Sequence, residues 1–203
     1  MKKIVTILSA ALLLLAGVSA SAQGALSAGY LNSIDIVKSG NTTNSTPLNG
    51  FYVGATFTTD LGAVNFTPGI FYGYATKSDS ADLIITKLNG KREDHFINMP
   101  LYFSYGIGSD DLFLSVYAGP SASIGIASKV TGSLGSNSSS YDRYKEDTDL
   151  NRFDIMLGGG IAVRVMNMFR INVGYDLGML NRYKNTNTDY RRNQLTAGVA
   201  FVF

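Results

Sequence analysis

The residues best suited to acid–base chemistry are three consecutive side chains, Glu93, Asp94 and His95. His95 is the only histidine among 203 residues, and the chain contains no cysteine. A histidine beside carboxylates could act as a general base, whereas the lack of cysteine excludes thiol catalysis, disulfides and Cys-ligated zinc. The competing interpretation, which we favour, is a solvated charged segment at the end of a loop. We therefore predict no catalytic residue, no metal site and no cofactor.

A second set of charged side chains lies in segments whose polarity alternates. Between 169 and 179 the large apolar residues occupy odd positions, and polar or small residues occupy even positions. A period of two is typical of β-strands with one apolar face. The same pattern predicts eight strands, at 25–34, 50–58, 64–75, 96–105, 112–126, 152–165, 168–179 and 194–203. Apart from Arg152 at the first position of its strand, the charged residues that fall inside these strands are four, all on the polar face: Asp154, Arg164, Arg170 and Asp176.

The connections between the predicted strands alternate in length. They are long at 35–49, 76–94, 127–151 and 181–191, and short at 59–63, 106–111 and 166–167. Outer-membrane barrels have short periplasmic turns, longer extracellular loops and an apolar outer face, where an Arg or Lys near the midplane costs about 2–4 kcal/mol. A soluble barrel would instead place apolar residues inside. We predict an all-β fold, an eight-stranded antiparallel up-and-down transmembrane β-barrel.

One long connection contains its own hairpin signal. Asn89-Gly90 lies between the apolar-containing stretches Asp82 to Leu88 and Lys91 to Ile97. This dipeptide is typical of a type I′ turn, so we expect a hairpin above the membrane. Insertion of that hairpin into the wall, which gives a ten-stranded barrel, is the architectural alternative.

The first 22 residues have the features of a cleaved secretory signal. Lys2 and Lys3 precede an apolar stretch, and Ala20-Ser21-Ala22 is a small-residue cleavage site. We expect a signal peptide at 1–22, a barrel domain at 23–203 and a location in the cell outer membrane. Without the two lysines, the formal charge of +2 becomes zero, which argues against a nucleic-acid partner.

The charges predict different roles inside the barrel and on its rim. Eight strands enclose a lumen that side chains can fill, so we interpret the four charges within strands as a polar plug. Arg164 and Arg170 should face each other near the tight turn, with Asp154, Asp176 or acids of the short turns as partners; an anion or proton path is the alternative. Basic loop residues could contact lipopolysaccharide or a protein partner, although generic solvation of loops is the competing interpretation: Lys91, Arg92, Arg143, Lys145, Arg182, Lys184, Arg191 and Arg192.

Three segments carry a resemblance to a known family. They are Ile97-Asn98-Met99-Pro100-Leu101, Tyr117-Ala118-Gly119-Pro120-Ser121 and the run from Phe153 to Gly160, and the chain ends in Phe203. Together they resemble the PorT-like outer-membrane β-barrel proteins of Bacteroidetes-type bacteria. The resemblance implies insertion by the barrel-assembly machinery, with the last strand, including Phe201 and Phe203, as the assembly signal. Some relatives are linked to secretion or adhesion.

The function expected from these features is a structural or surface-interaction role through the long extracellular loops. The first alternative is a small channel or a transport- or secretion-associated component. The second is a lipid A-modifying enzyme, which we disfavour because Ile97 stands where the pattern of lipid A deacylases has a serine after the histidine.

Overall fold

The computed structural model describes residues 23–82, 87–109, 111–134, 137–147, 149–184 and 188–203, so the predicted signal peptide lies outside the described residues. Nearly all of the described chain is β-strand. The strands are β1 Gln23–Ser39, β2 Thr42–Asp60, β3 Asn65–Asp82, β4 Lys87–Gly108, β5 Leu112–Leu134, β6 Asn137–Asp142, β7 Phe153–Val165, β8 Phe169–Gly178 and β9 Thr188–Val202, and one short helix, α1, spans Arg143–Glu146. Within the described residues, no helix is long and apolar enough to cross a membrane.

Eight of the nine strands form a closed antiparallel ring. The ring runs β1-β2-β3-β4-β5-β7-β8-β9 and closes where β9 pairs with β1. The ninth strand, β6, pairs with β5 alone and stands outside the ring. The predicted eight-stranded barrel is therefore confirmed, and the ten-stranded alternative is wrong.

Apolar and polar side chains alternate along each strand, so that the apolar ones form the outer face of the barrel and the polar ones point into its lumen. On β8, Phe169, Ile171 and Leu177 point outward and are 52 %, 54 % and 47 % exposed, whereas Asp176 points inward and is 8 % exposed. Successive side chains of a strand point to opposite faces. The residues in the apolar positions of the two-residue period therefore face lipid, and those in the polar positions face the lumen. Exposed apolar residues on the other ring strands form the same outer surface, which we call the apolar band.

The two ends of the barrel differ. One end, the short-turn rim, has the connections 61–64, 109–111 and 166–168 together with Gln23 and Phe203, the first and last described residues; the other, the long-loop rim, has the remaining connections. The turn between β7 and β8 contains Met166 and Asn167 with φ of 53° and 54°. This left-handed pair lets the chain reverse within three residues and confirms the tight turn expected there.

The predicted hairpin at 82–97 is wrong. Asn89 pairs with Ser80 and Gly90 pairs with Asp79, as parts of one continuous β3–β4 ladder. Gly90 also pairs with Gly132 of β5 on its other side. The turn signal is overridden because β4 has a partner strand on both sides at this point, and the connection of β3 to β4 falls at 83–86, outside the described residues.

Four strands continue beyond the apolar band as one sheet. We call it the projecting sheet: residues 76–82 of β3, 87–95 of β4, 127–134 of β5, and β6. The sequence predicts long connections here because hydropathy does not alternate in these segments. The long connection predicted at 35–49 is wrong for the same reason, since β1 and β2 stay paired as far as Ser39 and Thr42 and only residues 40–41 join them. The barrel wall is thus taller on this side than the apolar pattern alone predicts.

Candidate functional site

A cluster of buried charges closes the lumen just below the long-loop rim. Asp35 comes from β1, Arg92 and Asp94 from β4, Arg192 from β9 and Arg182 from the β8–β9 connection. We call these five residues the ion-pair cluster. Four of them are less than 5 % exposed, and the Arg92 side chain is 19 % exposed.

Asp35 is the most heavily bonded member of the ion-pair cluster. Its carboxylate accepts from Arg192 Nε at 2.9 Å and from the Tyr190 hydroxyl at 2.5 Å. Arg92 Nη1 lies 2.6 Å from the same carboxylate, and Arg182 Nη1 lies 3.9 Å away. A carboxylate buried this deeply is stable only when its partners replace the lost hydration.

Asp94 holds the opposite side of the ion-pair cluster. Arg92 donates to it through Nη2 at 2.6 Å and Nε at 3.1 Å, and Arg192 donates through Nη2. The Ser128 hydroxyl adds a bond of 2.6 Å. With three arginines and two aspartates, the cluster carries one net positive charge across the lumen.

The ion-pair cluster lies beyond the membrane-spanning segments. Its neighbours on the outer face of β4 and β9 are Lys91, Glu93 and Arg191, which are polar where the apolar band has ended. Burial alone would raise the pKa of Asp94, but Arg192 and Arg92 outweigh burial and lower its pKa to about 2. Burial acts in the same way on Asp35, and the same arginines hold its pKa well below the usual range.

Helix α1 covers the ion-pair cluster from the loop side. Its Tyr144 is 7 % exposed and packs with Leu150 and Tyr190. The Tyr144 hydroxyl accepts from Arg182 Nη2 at 2.5 Å. A Cβ on Gly125 would lie 2.0 Å from that hydroxyl, so only glycine leaves room for the ring. The long-loop rim is therefore closed by an aromatic layer above a charged layer.

Below the ion-pair cluster the lumen contains a cavity of about 120 Å³. Its upper end is bounded by the fully buried Leu31 and Gln194. Toward the short-turn rim its lining residues are half-buried, including Ser104, Ser115 and Arg170. The cavity is thus blind at the long-loop side and accessible from the short-turn side.

The four charges predicted to form a lumen network do lie inward, but they do not pair. Arg164 and Arg170 face each other across the β7–β8 ladder, as expected. Two of the expected acidic partners bond elsewhere, because Asp176 accepts from the Tyr102 hydroxyl at 2.6 Å and Asp154 accepts from the backbone N–H of Leu180 at 3.2 Å. Of the acids in the short turns, Asp60 accepts from the backbone N–H of Gly62 at 2.7 Å, and Asp110 lies outside the described residues. Six residues of strand, about 20 Å, separate Arg170 from Asp176. Within the described residues, the salt bridges of the lumen are those of the ion-pair cluster.

The possible catalytic group Glu93-Asp94-His95 does not converge. Asp94 points inward to the ion-pair cluster, whereas the other two point outward. Glu93 accepts from the Tyr74 hydroxyl at 2.7 Å, and His95 Nδ1 lies 2.6 Å from the Tyr72 hydroxyl. Strand alternation therefore separates the three side chains between two faces of the wall.

The eight basic residues predicted as surface contacts divide into two groups. Arg182 and Arg192 are buried in the ion-pair cluster, and Arg92, whose side chain is 19 % exposed, bonds to the acids of the same cluster, so the expected position of these three on an open rim is wrong. The sequence did not indicate their position because the alternation of apolar and polar residues stops at the edge of the apolar band. The strands and the lumen continue beyond that edge. Extending the inward parity of each strand would have found Arg192 and also Asp35 and Asp94. The remaining basic residues lie at the long-loop rim: Lys91, Arg143, Lys145, Lys184 and Arg191.

The residues of the expected assembly signal point outward at the end of the chain. Phe201 and Phe203 are 45 % and 66 % exposed, and their rings stack with centroids 6.4 Å apart. Phe201 also contacts Phe169 of the neighbouring strand. The last strand thus presents an aromatic edge at the short-turn rim.

Solved structures of small outer-membrane barrels are similar to this fold. Ail of Yersinia pestis, determined with the heparin analogue sucrose octasulfate, aligns with a TM-score of 0.50 and 14 % identity, over 90 % of this chain and 99 % of that one. Neisserial surface protein A aligns at 0.47 and 14 %, over 90 % and 97 %. The outer membrane enzyme PagL aligns at 0.48 and 11 %, over 85 % and 98 %. At 14 % identity the likeness to Ail shows the fold alone.

Sequence comparisons give the family. A search of curated proteins finds no significant match. The PorT-like resemblance stays a prediction, since no comparison distinguishes that group. The family model described as an outer membrane protein beta-barrel domain matches residues 16–184, most of the chain. The chain therefore belongs to this family and is an outer-membrane β-barrel protein.

Proposed function

We propose that this barrel has a surface-interaction role, in which the projecting sheet binds another protein at the long-loop rim. The observation that supports it is the free edge of β6. This strand pairs with β5 on one side, and no ladder among the described residues uses its other side. An exposed strand edge accepts an added strand from a partner through backbone hydrogen bonds.

The composition of β6 favours pairing at this edge. Ser138, Ser139 and Ser140 are exposed, and Tyr141 is 45 % exposed. Strand edges that must stay free usually carry lysine, proline or a bulge. β6 has none of these devices, and its charged residue, Asp142, lies at its end.

Proline substitutions along β6 test the proposal. Successive backbone N–H groups of a strand point to opposite edges, so one of Ser139→Pro and Ser140→Pro removes a donor from the free edge. Chemical crosslinking on cells, followed by purification, should recover a protein with the wild type that this variant loses. Ser139→Ala and Ser140→Ala keep both N–H groups and should retain it. Recovery of the same proteins with all variants would contradict the proposal.

The channel alternative is disfavoured by the closed long-loop rim. The ion-pair cluster and Tyr144 cross the lumen, and all of these residues except Arg92 are buried. We propose that the protein carries no steady current in planar bilayers. A steady, anion-selective conductance would contradict the proposal that the ion-pair cluster and Tyr144 close the lumen.

We also propose that the protein is not an enzyme. Asp94 lies on the inner face of the wall, and Glu93 and His95 on the outer face are each bonded to a tyrosine hydroxyl. Lipid A from a deletion strain should have an unchanged mass spectrum. A lost or added acyl chain would instead favour a lipid A-modifying activity at Glu93 and His95.

The remaining expectations concern lipid contacts and assembly. We propose that the exposed basic residues of the long-loop rim contact lipopolysaccharide, that the signal peptide is removed before Gln23, and that Phe201 and Phe203 are recognised by the barrel-assembly machinery. N-terminal sequencing of the outer-membrane form should begin at Gln23. Phe203→Ala should reduce the heat-modifiable folded band in that fraction, whereas Phe169→Ala, an outward aromatic away from the chain end, should reduce it less.

A further inference from the structure

We propose that the lumen cavity binds a small carboxylate, held by Arg170 and admitted from the short-turn rim. The site lies at the opposite end of the barrel from the projecting sheet and is independent of any partner bound there. The inference rests on an arginine without a counter-charge, on the donors around it and on the shape of the cavity.

The two facing arginines near the short-turn rim have only neutral partners. Arg170 Nη2 donates to Thr56 Oγ1 at 3.0 Å. Arg164 Nη1 donates to Gln23 Oε1 at 2.9 Å, its guanidinium lies 5.0 Å from the Phe113 ring centre, and its buried Nε has no partner. Neither arginine forms an ion pair with a described residue. Two adjacent cations that have no ion-pair partner among the described residues produce a positive potential at the open end of the cavity.

The hydrogen-bonding capacity around Arg170 suits an anion. An arginine has five N–H donors, and a carboxylate can accept two of them in parallel. The described contacts use one of the five, at Thr56. Asn172 and the Tyr52 hydroxyl line the same cavity and bond to each other at 3.3 Å, which leaves further amide and hydroxyl capacity facing it.

The shape of the cavity limits the ligand in size and orientation. A volume of about 120 Å³ corresponds to roughly four water molecules, and therefore to a molecule of a few heavy atoms. Its lining has apolar parts at Leu31, Phe71 and Pro100. Asp176 lies toward the blind end, opposite Gln194, and repels a second negative charge there. A monocarboxylate with a short apolar tail meets all of these conditions.

Propionate and propionamide form a matched pair of probes, because they have the same shape and differ in charge. Saturation-transfer NMR on the folded protein in zwitterionic micelles should show saturable binding of propionate and none of propionamide. Loss of the charge-assisted bonds in Arg170→Gln should weaken propionate binding on the order of tenfold to a hundredfold. Arg170→Lys keeps the charge but not the fork geometry and should lie between the two. Arg152→Gln, at the opposite rim, should bind like the wild type.

Each outcome decides the proposal. Equal binding of propionate and propionamide would overturn it, as would displacement of propionate by an equal concentration of chloride, since the site would then hold an adventitious anion only. An unchanged affinity in Arg170→Gln would also overturn it. The heat-modifiable gel shift shows which variants are folded; if Arg170→Gln does not fold, the wild-type comparison of the two probes decides alone.

Discussion

Replacing Asp35 with asparagine should strongly destabilise the barrel, because it removes one of the two acids that pair with the three arginines of the ion-pair cluster. The substitution keeps the size of the side chain and takes away only its charge. Arg192 and Arg92 each lose an ion pair of 2.9 Å or shorter, and the Tyr190 hydroxyl loses an anionic acceptor. The net charge of the ion-pair cluster rises from +1 to +2.

The expected magnitude follows from the burial of these groups. Removing one partner of a buried ion pair lowers the unfolding free energy by about 3–5 kcal/mol, because the remaining charge stays desolvated. An exposed pair is worth far less, about 0–1 kcal/mol. The Lys77–Asp79 pair, at 3.3 Å with the Asp79 side chain 73 % exposed, supplies the matched control. Asp79→Asn should change the unfolding free energy by at most about 0.5 kcal/mol.

Urea unfolding of both variants in lipid vesicles, followed by tyrosine fluorescence and by the heat-modifiable gel shift, measures the difference. Adding Arg192→Gln to Asp35→Asn should recover part of the loss, since the double variant removes one of the excess cations. A loss for Asp35→Asn within about 1 kcal/mol of that for Asp79→Asn would refute the reasoning, as would strictly additive losses in the double variant.

Two further predictions concern the same rim. Asp35 and Asp94 have pKa values lowered in the folded state, so their contribution to stability is present above about pH 4, the pKa of an unfolded aspartate, and is lost as the pH falls through the folded values, about 2 for Asp94. Unfolding measured from pH 6 to 2 should show this loss, and Asp94→Asn should show a smaller one. Gly125→Ala should cost about 1–3 kcal/mol, because its Cβ would meet the Tyr144 hydroxyl, while Gly132→Ala, whose Cβ meets nothing within 4 Å, should be neutral or slightly stabilising in thermal unfolding.

The wall of the barrel could be predicted because lipid imposes its pattern on the sequence. Leu26 and Tyr30 of the weakest predicted strand are 58 % and 47 % exposed, on the outer face assigned to them. Likewise, Arg164 and Arg170 face each other because the tight turn fixes the register of β7 and β8. In each case a period of two and a short connection determine the position of a side chain.

The ends of the strands could not be predicted from the same pattern. Beyond the apolar band most residues of β3 and β4 are polar, so the alternation in hydropathy disappears although the ladder continues. Asn89-Gly90 then gave a misleading turn signal in the middle of that ladder. The pairing of Asp35 with arginines of β4 and β9 depends on closure of the ring, which brings together residues 157 positions apart.

The arginines of the lumen occupy different environments at the two ends of the barrel. At the long-loop rim Arg192 is 4 % exposed, and a cation so deeply buried persists only beside carboxylates. At the short-turn rim Arg170 keeps only a neutral partner, which a half-buried guanidinium tolerates because water or an anion can reach it. The charges therefore close the lumen at one end and leave it receptive at the other. This difference supports the proposal that the lumen is closed at the long-loop rim and open at the short-turn rim, where Gln23 and Phe203 lie.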